Sequence, residues 1–73
     1  MKIKRLRICL IDGEDHYLSK WYDYSEETNA YISKNIRNAL TGEISVLVLE
    51  AENGEYFFPK QIIERSILTI KYE

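Results

Sequence analysis

Apolar and polar residues alternate along the first strand-length of the chain. Leu6, Ile8 and Leu10 fall on one side of an extended backbone, and Arg5, Arg7 and Cys9 fall on the other. That period of two predicts a half-buried strand over residues 3–11. Asp12-Gly13 comes next and predicts a hairpin, because the tight turn needs positive φ. His16–Tyr22 is the returning strand, its Tyr17, Trp21 and Tyr22 suited to a pleated surface. Loop length decides which of them face the core. Two or four loop residues set Tyr17 and Trp21 beside Leu6 and Ile8, whereas three put Leu18 and Tyr22 there.

The period then changes. Thr28, Ile32, Ile36, Ala39 and Leu40 recur at helical spacing and predict a helix over residues 25–41. Asp23 with Glu26 has the spacing of a capping box, and Glu26 and Glu27 suit the positive helix start. Lys34 and Arg37 come late, where the dipole favours cations, and Gly42 is a natural stop. Ile44–Ala51 is apolar on both faces (Val46 and Val48; Leu47 and Leu49), which predicts a central strand covered on both sides. Asn53-Gly54 marks a second hairpin. Tyr56-Phe57-Phe58 returns, and Pro59 ends that strand because it cannot donate to a ladder. Residues 59–65 form one helical turn with Ile62 and Ile63 inward, and 66–72 form the last strand. The expected order is ββαβββ in one domain over residues 1–73. One helix packed on a mostly antiparallel sheet makes a small two-layer α+β sandwich.

The ending Phe58-Pro59-Lys60-Gln61-Ile62-Ile63 followed by a strand is similar to the last turn and strand of small Sm-like or SH3-like barrels. It spans about 15 residues. The resemblance implies a small barrel with an inserted helix as the alternative fold.

With 73 residues the core is marginal, since a domain of this size buries only about 60% of its unfolded surface. The single cysteine excludes an internal disulfide and fits a reducing compartment. No secretory leader pattern is visible, and Val46-Leu47-Val48-Leu49 is too short to span a membrane. The expected location is the cytoplasm. Net charge is −2, but Lys2, Lys4, Arg5 and Arg7 stand together while acids crowd residues 12–27 and 43–55. An acidic remainder favours a basic protein partner over a polyanion.

Candidate chemistry is sparse. Cys9 and His16 are the one Cys–His combination, and two-residue closure of the first hairpin sets them across the ladder from one another. A hairpin tip offers no pocket to exclude water, so no catalytic residue is expected. The acidic turn of residues 12–16 lacks calcium-loop spacing, and no glycine-rich phosphate loop occurs. The chain is therefore expected to be non-enzymatic, with no cofactor and no metal.

Binding is what remains. Eight aromatic side chains lie in or beside the predicted strands, more than one helix covers, and Tyr and Trp are enriched at interface hot spots. Surplus aromatics and strand edges also predict self-association as a homodimer. The expected partner site is an acidic, aromatic surface from the first hairpin and the helix start: Asp12, Glu14, Asp15, Tyr22, Tyr24, Glu26 and Glu27. The rival is the second hairpin, with Glu50, Glu52, Glu55 and Tyr56. A different class of function would use Lys2, Lys4, Arg5, Arg7, Lys20 and Trp21 to hold single-stranded nucleic acid, with cations on phosphates and the ring stacking on bases. An oligomer that sequesters a small ligand is a third. In size, acidity and lack of chemistry the chain resembles the small inhibitor proteins that bacteriophages and mobile elements encode. The resemblance implies action by stoichiometric binding, as an inhibitor or adaptor.

Overall fold

A computed structural model describes residues 2–73. Strand β1 (Arg5–Asp12) is the axis of the main sheet, and every strand pairing in the molecule is antiparallel. Strand β6 (Ile67–Tyr72) runs along one side of β1, from Leu6 opposite Tyr72 to Ile11 opposite Ile67. On the other side lie two short strands end to end, β2 (Asp15–Leu18) and β3 (Tyr22–Asp23). Strands β4 (Val46–Ala51) and β5 (Gly54–Pro59) form a separate two-stranded ribbon.

Helix α1 (Glu26–Leu40) fills the expected span. Its cap is Ser25 and not Asp23: the Ser25 hydroxyl accepts from the Thr28 N–H at 3.0 Å, while Asp23 is held in β3 opposite Arg5. At the other end Gly42 takes φ +82°, a conformation that costs a side-chain-bearing residue dearly. The Glu43 N–H then reaches the Asn38 carbonyl at 2.9 Å and the Gly42 N–H reaches that of Ala39 at 3.3 Å, the paired bonds of a Schellman stop. No helix among the described residues is long and apolar enough to cross a membrane.

The core lies between the inner face of the main sheet and a layer made of α1, the ribbon and a short helix α2 (Lys60–Arg65). Leu6, Ile8 and Leu10 of β1 meet Ile32, Ile36 and Ala39 of α1, Leu47, Leu49 and Phe58 of the ribbon, and Ile63 of α2. This is the expected small α+β sandwich. Asp12 closes one end, its two carboxylate oxygens accepting from Nε and Nη2 of Arg65 at 3.0 Å each.

Three local expectations are corrected. The single sheet is two sheets, with the ribbon leaving the main sheet after α1. The second hairpin turns on Glu52-Asn53, with Ala51 opposite Gly54 and no positive φ, so the Asn53-Gly54 pair is displaced by one residue from the turn centre. Strand β4 is not a central strand covered on both sides. Leu47 and Leu49 are buried, but Val46 and Val48 are exposed, because among the described residues no second layer covers that face of the ribbon.

Candidate functional site

The first hairpin closes with a two-residue loop, Gly13-Glu14, and Gly13 alone takes positive φ. That register would bring Trp21 opposite Leu6. Tyr22 stands there instead, because one extra residue is accommodated between Leu18 and Tyr22. This bulge turns Trp21 to the outer face and lets both Tyr17 and Tyr22 face the core, which neither loop-length alternative foresaw.

Ser19 holds the bulge. It is fully buried, and its hydroxyl accepts from the Ile8 N–H at 2.8 Å while donating to the Lys20 carbonyl at 2.8 Å. Its own carbonyl, displaced from the ladder, accepts two N–H groups of the Arg7 guanidinium at 3.0 and 2.7 Å. Arg5 and Arg7 each lie 4.5 Å from the centroid of the Trp21 ring.

Beyond the bulge, the Lys20 N–H donates to the Glu50 carbonyl of β4 at 2.7 Å, and the two side chains pair at 3.2 Å. The hydrogen-bonded Glu50 carboxylate holds the Lys20 ammonium above its ordinary value. This clamp joins ribbon to sheet at one end only. The rest of the gap between β4 and α1 is an open groove of about 540 Å³. Ile8 and Tyr22 form its floor. Tyr31, Ile32 and Ile36 line the helix side, and Val46, Leu47 and Val48 line the strand side. Two carboxylates, Glu27 and Glu50, belong to the lining, and no Lys or Arg does.

Burial, and then the Glu50 carboxylate, hold the Tyr22 phenol above its ordinary value, with Lys20 opposing. A raised folded-state value means that the phenol's contribution is fully present below pH 10 and is lost as pH rises through the folded value. Wild-type protein should therefore lose stability above pH 10 in a step that Tyr22→Phe lacks. Urea midpoints measured from pH 8 to 11.5 check this, and superposable pH profiles for the two proteins would count against a desolvated groove floor.

The seven residues expected to form one surface are divided. Glu14 and Asp15 sit exposed at the hairpin tip, and Asp12 beside them is paired with Arg65. Tyr22, Tyr24, Glu26 and Glu27 lie at the opposite end of β1, whose eight residues put roughly 23 Å between the two groups. Within the second group Tyr22 and Glu27 border the groove, while Tyr24 packs edge-on to Tyr72 at 6.2 Å. At the rival hairpin, Tyr56 is drawn onto Tyr17 with ring centroids 5.2 Å apart, leaving Glu52 and Glu55 at the surface.

Of the six residues proposed for nucleic acid, four are engaged within the chain. Arg5 pairs with Glu73, Arg7 with Ser19, Lys20 with Glu50, and Trp21 with both arginines; Lys2 and Lys4 are exposed. Cys9 is buried opposite Leu18 and Thr69, and His16 is exposed opposite Ile11. Two-residue closure therefore does not set Cys9 across from His16 as expected, because a ladder closed at Asp12 and Asp15 pairs Cys9 with Leu18. Among the described residues no three His, Cys, Asp or Glu side chains gather to hold a metal.

Sequence reasoning missed Ser19, Tyr31 and the exposed valines of β4. Tyr17 and Tyr22 carried a signal for the bulge: two core aromatics five apart cannot share a face of an unbroken strand. Comparison with protein-family models, characterised proteins and solved structures gave no match.

Proposed function

We propose that the protein acts without catalysis, by stoichiometric binding of a protein partner, and that the groove between α1 and β4 is its contact site. One observation carries this: the groove leaves Tyr31, Val46 and Val48 exposed around a concavity between α1 and β4. Binding sites are concave and mostly apolar, and a Tyr beside such a concavity is a favoured interface anchor. The acidic surroundings select a basic partner. Residues 12–55 carry ten carboxylates against Lys20, Lys34 and Arg37, so encounter is steered toward positive surface. The internal engagement of Arg5, Arg7 and Trp21 favours this reading over one with nucleic acid. Inhibitor or adaptor action in the cytoplasm, where the unpaired Cys9 stays reduced, completes the proposal.

Affinity capture from lysate tests it, with and without nuclease, using wild type and the variants Val48→Glu and Glu52→Ala. Nuclease should leave the captured protein unchanged. Val48→Glu should reduce capture about tenfold or more, and Glu52→Ala should barely change it. Circular dichroism confirms that both variants are folded. Capture that disappears with nuclease, or that survives Val48→Glu intact, overturns the proposal.

A further inference from the structure

The backbone of β4 carries information that its side chains do not. A two-residue hairpin is closed by a pair that exchanges ladder bonds, here Ala51 and Gly54. Bonding alternates along the strand, so Ala51, Leu49 and Leu47 direct their N–H and C=O groups to β5. Glu50, Val48 and Val46 direct theirs the other way. The Glu50 carbonyl bears this out, since it accepts from Lys20 on the side away from β5. Val46 and Val48 point their backbone groups into the same gap, and among the described residues nothing pairs with them there. The groove thus combines an unpaired strand edge, an apolar floor and carboxylates at its margin. Lys20 already fills the first position of the missing strand.

Resting on that groove as the contact site, we infer that its occupant is an extended peptide segment that adds as a strand to the free edge of β4, apolar residues inward and basic residues outward. Strand addition supplies main-chain bonds to Val46 and Val48 for affinity. Tyr22, Tyr31 and Ile44, which keep accessible surface in the groove, receive the inward side chains. Charge decides the outward ones. Glu27 has no cation within ion-pair distance among the described residues, Glu50 holds only Lys20, and no positive side chain lines the groove to repel a basic peptide. A second copy of this chain is the poorer occupant, because β4 pairing with its own equivalent adds a second Glu50 carboxylate and a second Glu27 carboxylate to one seam.

The probe is a capped heptapeptide alternating lysine and valine. Controls are the same peptide with glutamate for lysine, and the lysine peptide N-methylated at every residue, which cannot complete a ladder in either orientation. Titration into isotopically labelled full-length protein, followed through backbone amide shifts and hydrogen exchange, should move and protect the Val46 and Val48 amides with the lysine peptide alone. Added salt should weaken the effect. Val48→Pro removes one outward N–H without touching a bond to β5 and should lower affinity on the order of tenfold, whereas Val48→Thr keeps it. The N-methylated peptide makes the same test even if Val48→Pro does not fold. Equal binding of the N-methylated or glutamate peptide overturns the inference, as does no shift at ~1 mM peptide. Concentration-dependent protection of Val46 and Val48 without peptide assigns the edge to a second copy and also overturns it. If the peptide fails while Val48→Glu still abolishes capture, strand addition falls and the groove's binding role stands.

Discussion

Replacing Ser19 by alanine is expected to cost about 1–3 kcal/mol of folding stability, although the change removes a single oxygen. That oxygen is the acceptor for the buried Ile8 N–H, a bond that the Ser19 carbonyl would make in a regular ladder. At the bulge this carbonyl is turned to Arg7, so no backbone acceptor is left to replace the hydroxyl. The per-residue rule gives a 73-residue domain about 4–11 kcal/mol in all, so the loss is a large share. Urea unfolding measures it, and hydrogen exchange localises it: the Ile8 amide should lose protection before its neighbours on β1. Trp21 fluorescence reports the alternative. If the strand slips to remove the bulge, Trp21 leaves Arg5 and Arg7 for the core and its emission shifts to the blue. A stability change under about 0.5 kcal/mol with Ile8 still protected would mean that the hydroxyl does not hold the bulge.

The same residues show how far the sequence was legible. Helix α1, its glycine stop, both hairpins and the turn after Pro59 were readable because each rests on a local period or a turn residue, though the cap falls on Ser25 and not Asp23 and the second turn on Glu52-Asn53. The faces of the strands were not, because they depend on register, and register depended on one serine. Tyr22 reaches the core and Trp21 the surface through a bulge that alternation alone does not register. The candidate site was blurred for a related reason. Asp12 and Glu27 belong to acid-rich stretches that are near in sequence, yet a whole strand length separates them once β1 is laid out straight. Charge density along the chain is thus a poor guide to a surface that the fold assembles from α1 and β4, 20 residues apart at Glu27 and Leu47.

β4 provides the second large effect, by comparing adjacent residues. Its apolar run reads as a strand covered on both faces, in which case truncating Val48 and truncating Leu49 would both be costly. In the structure Leu49 is fully buried and Val48 is 41% exposed. Leu49→Ala opens a cavity among Leu10, Phe58 and their core neighbours and is expected to cost about 2–5 kcal/mol, enough to unfold much of the protein at room temperature if its stability lies at the low end. Val48→Ala removes atoms that already touch water, so its cost should stay near 0.5 kcal/mol. Both are measured by denaturant unfolding at low protein concentration, where any association is dissociated. If the two costs come out comparable, the outer face of β4 is covered in the isolated chain, and the open groove on which binding depends is not there. If they differ as expected, repeating the Val48→Ala measurement with bound partner gives the complementary result. Val48 then lies inside the complex, the partner stabilises wild type more than the variant, and the gap between them is the share of binding carried by that one side chain.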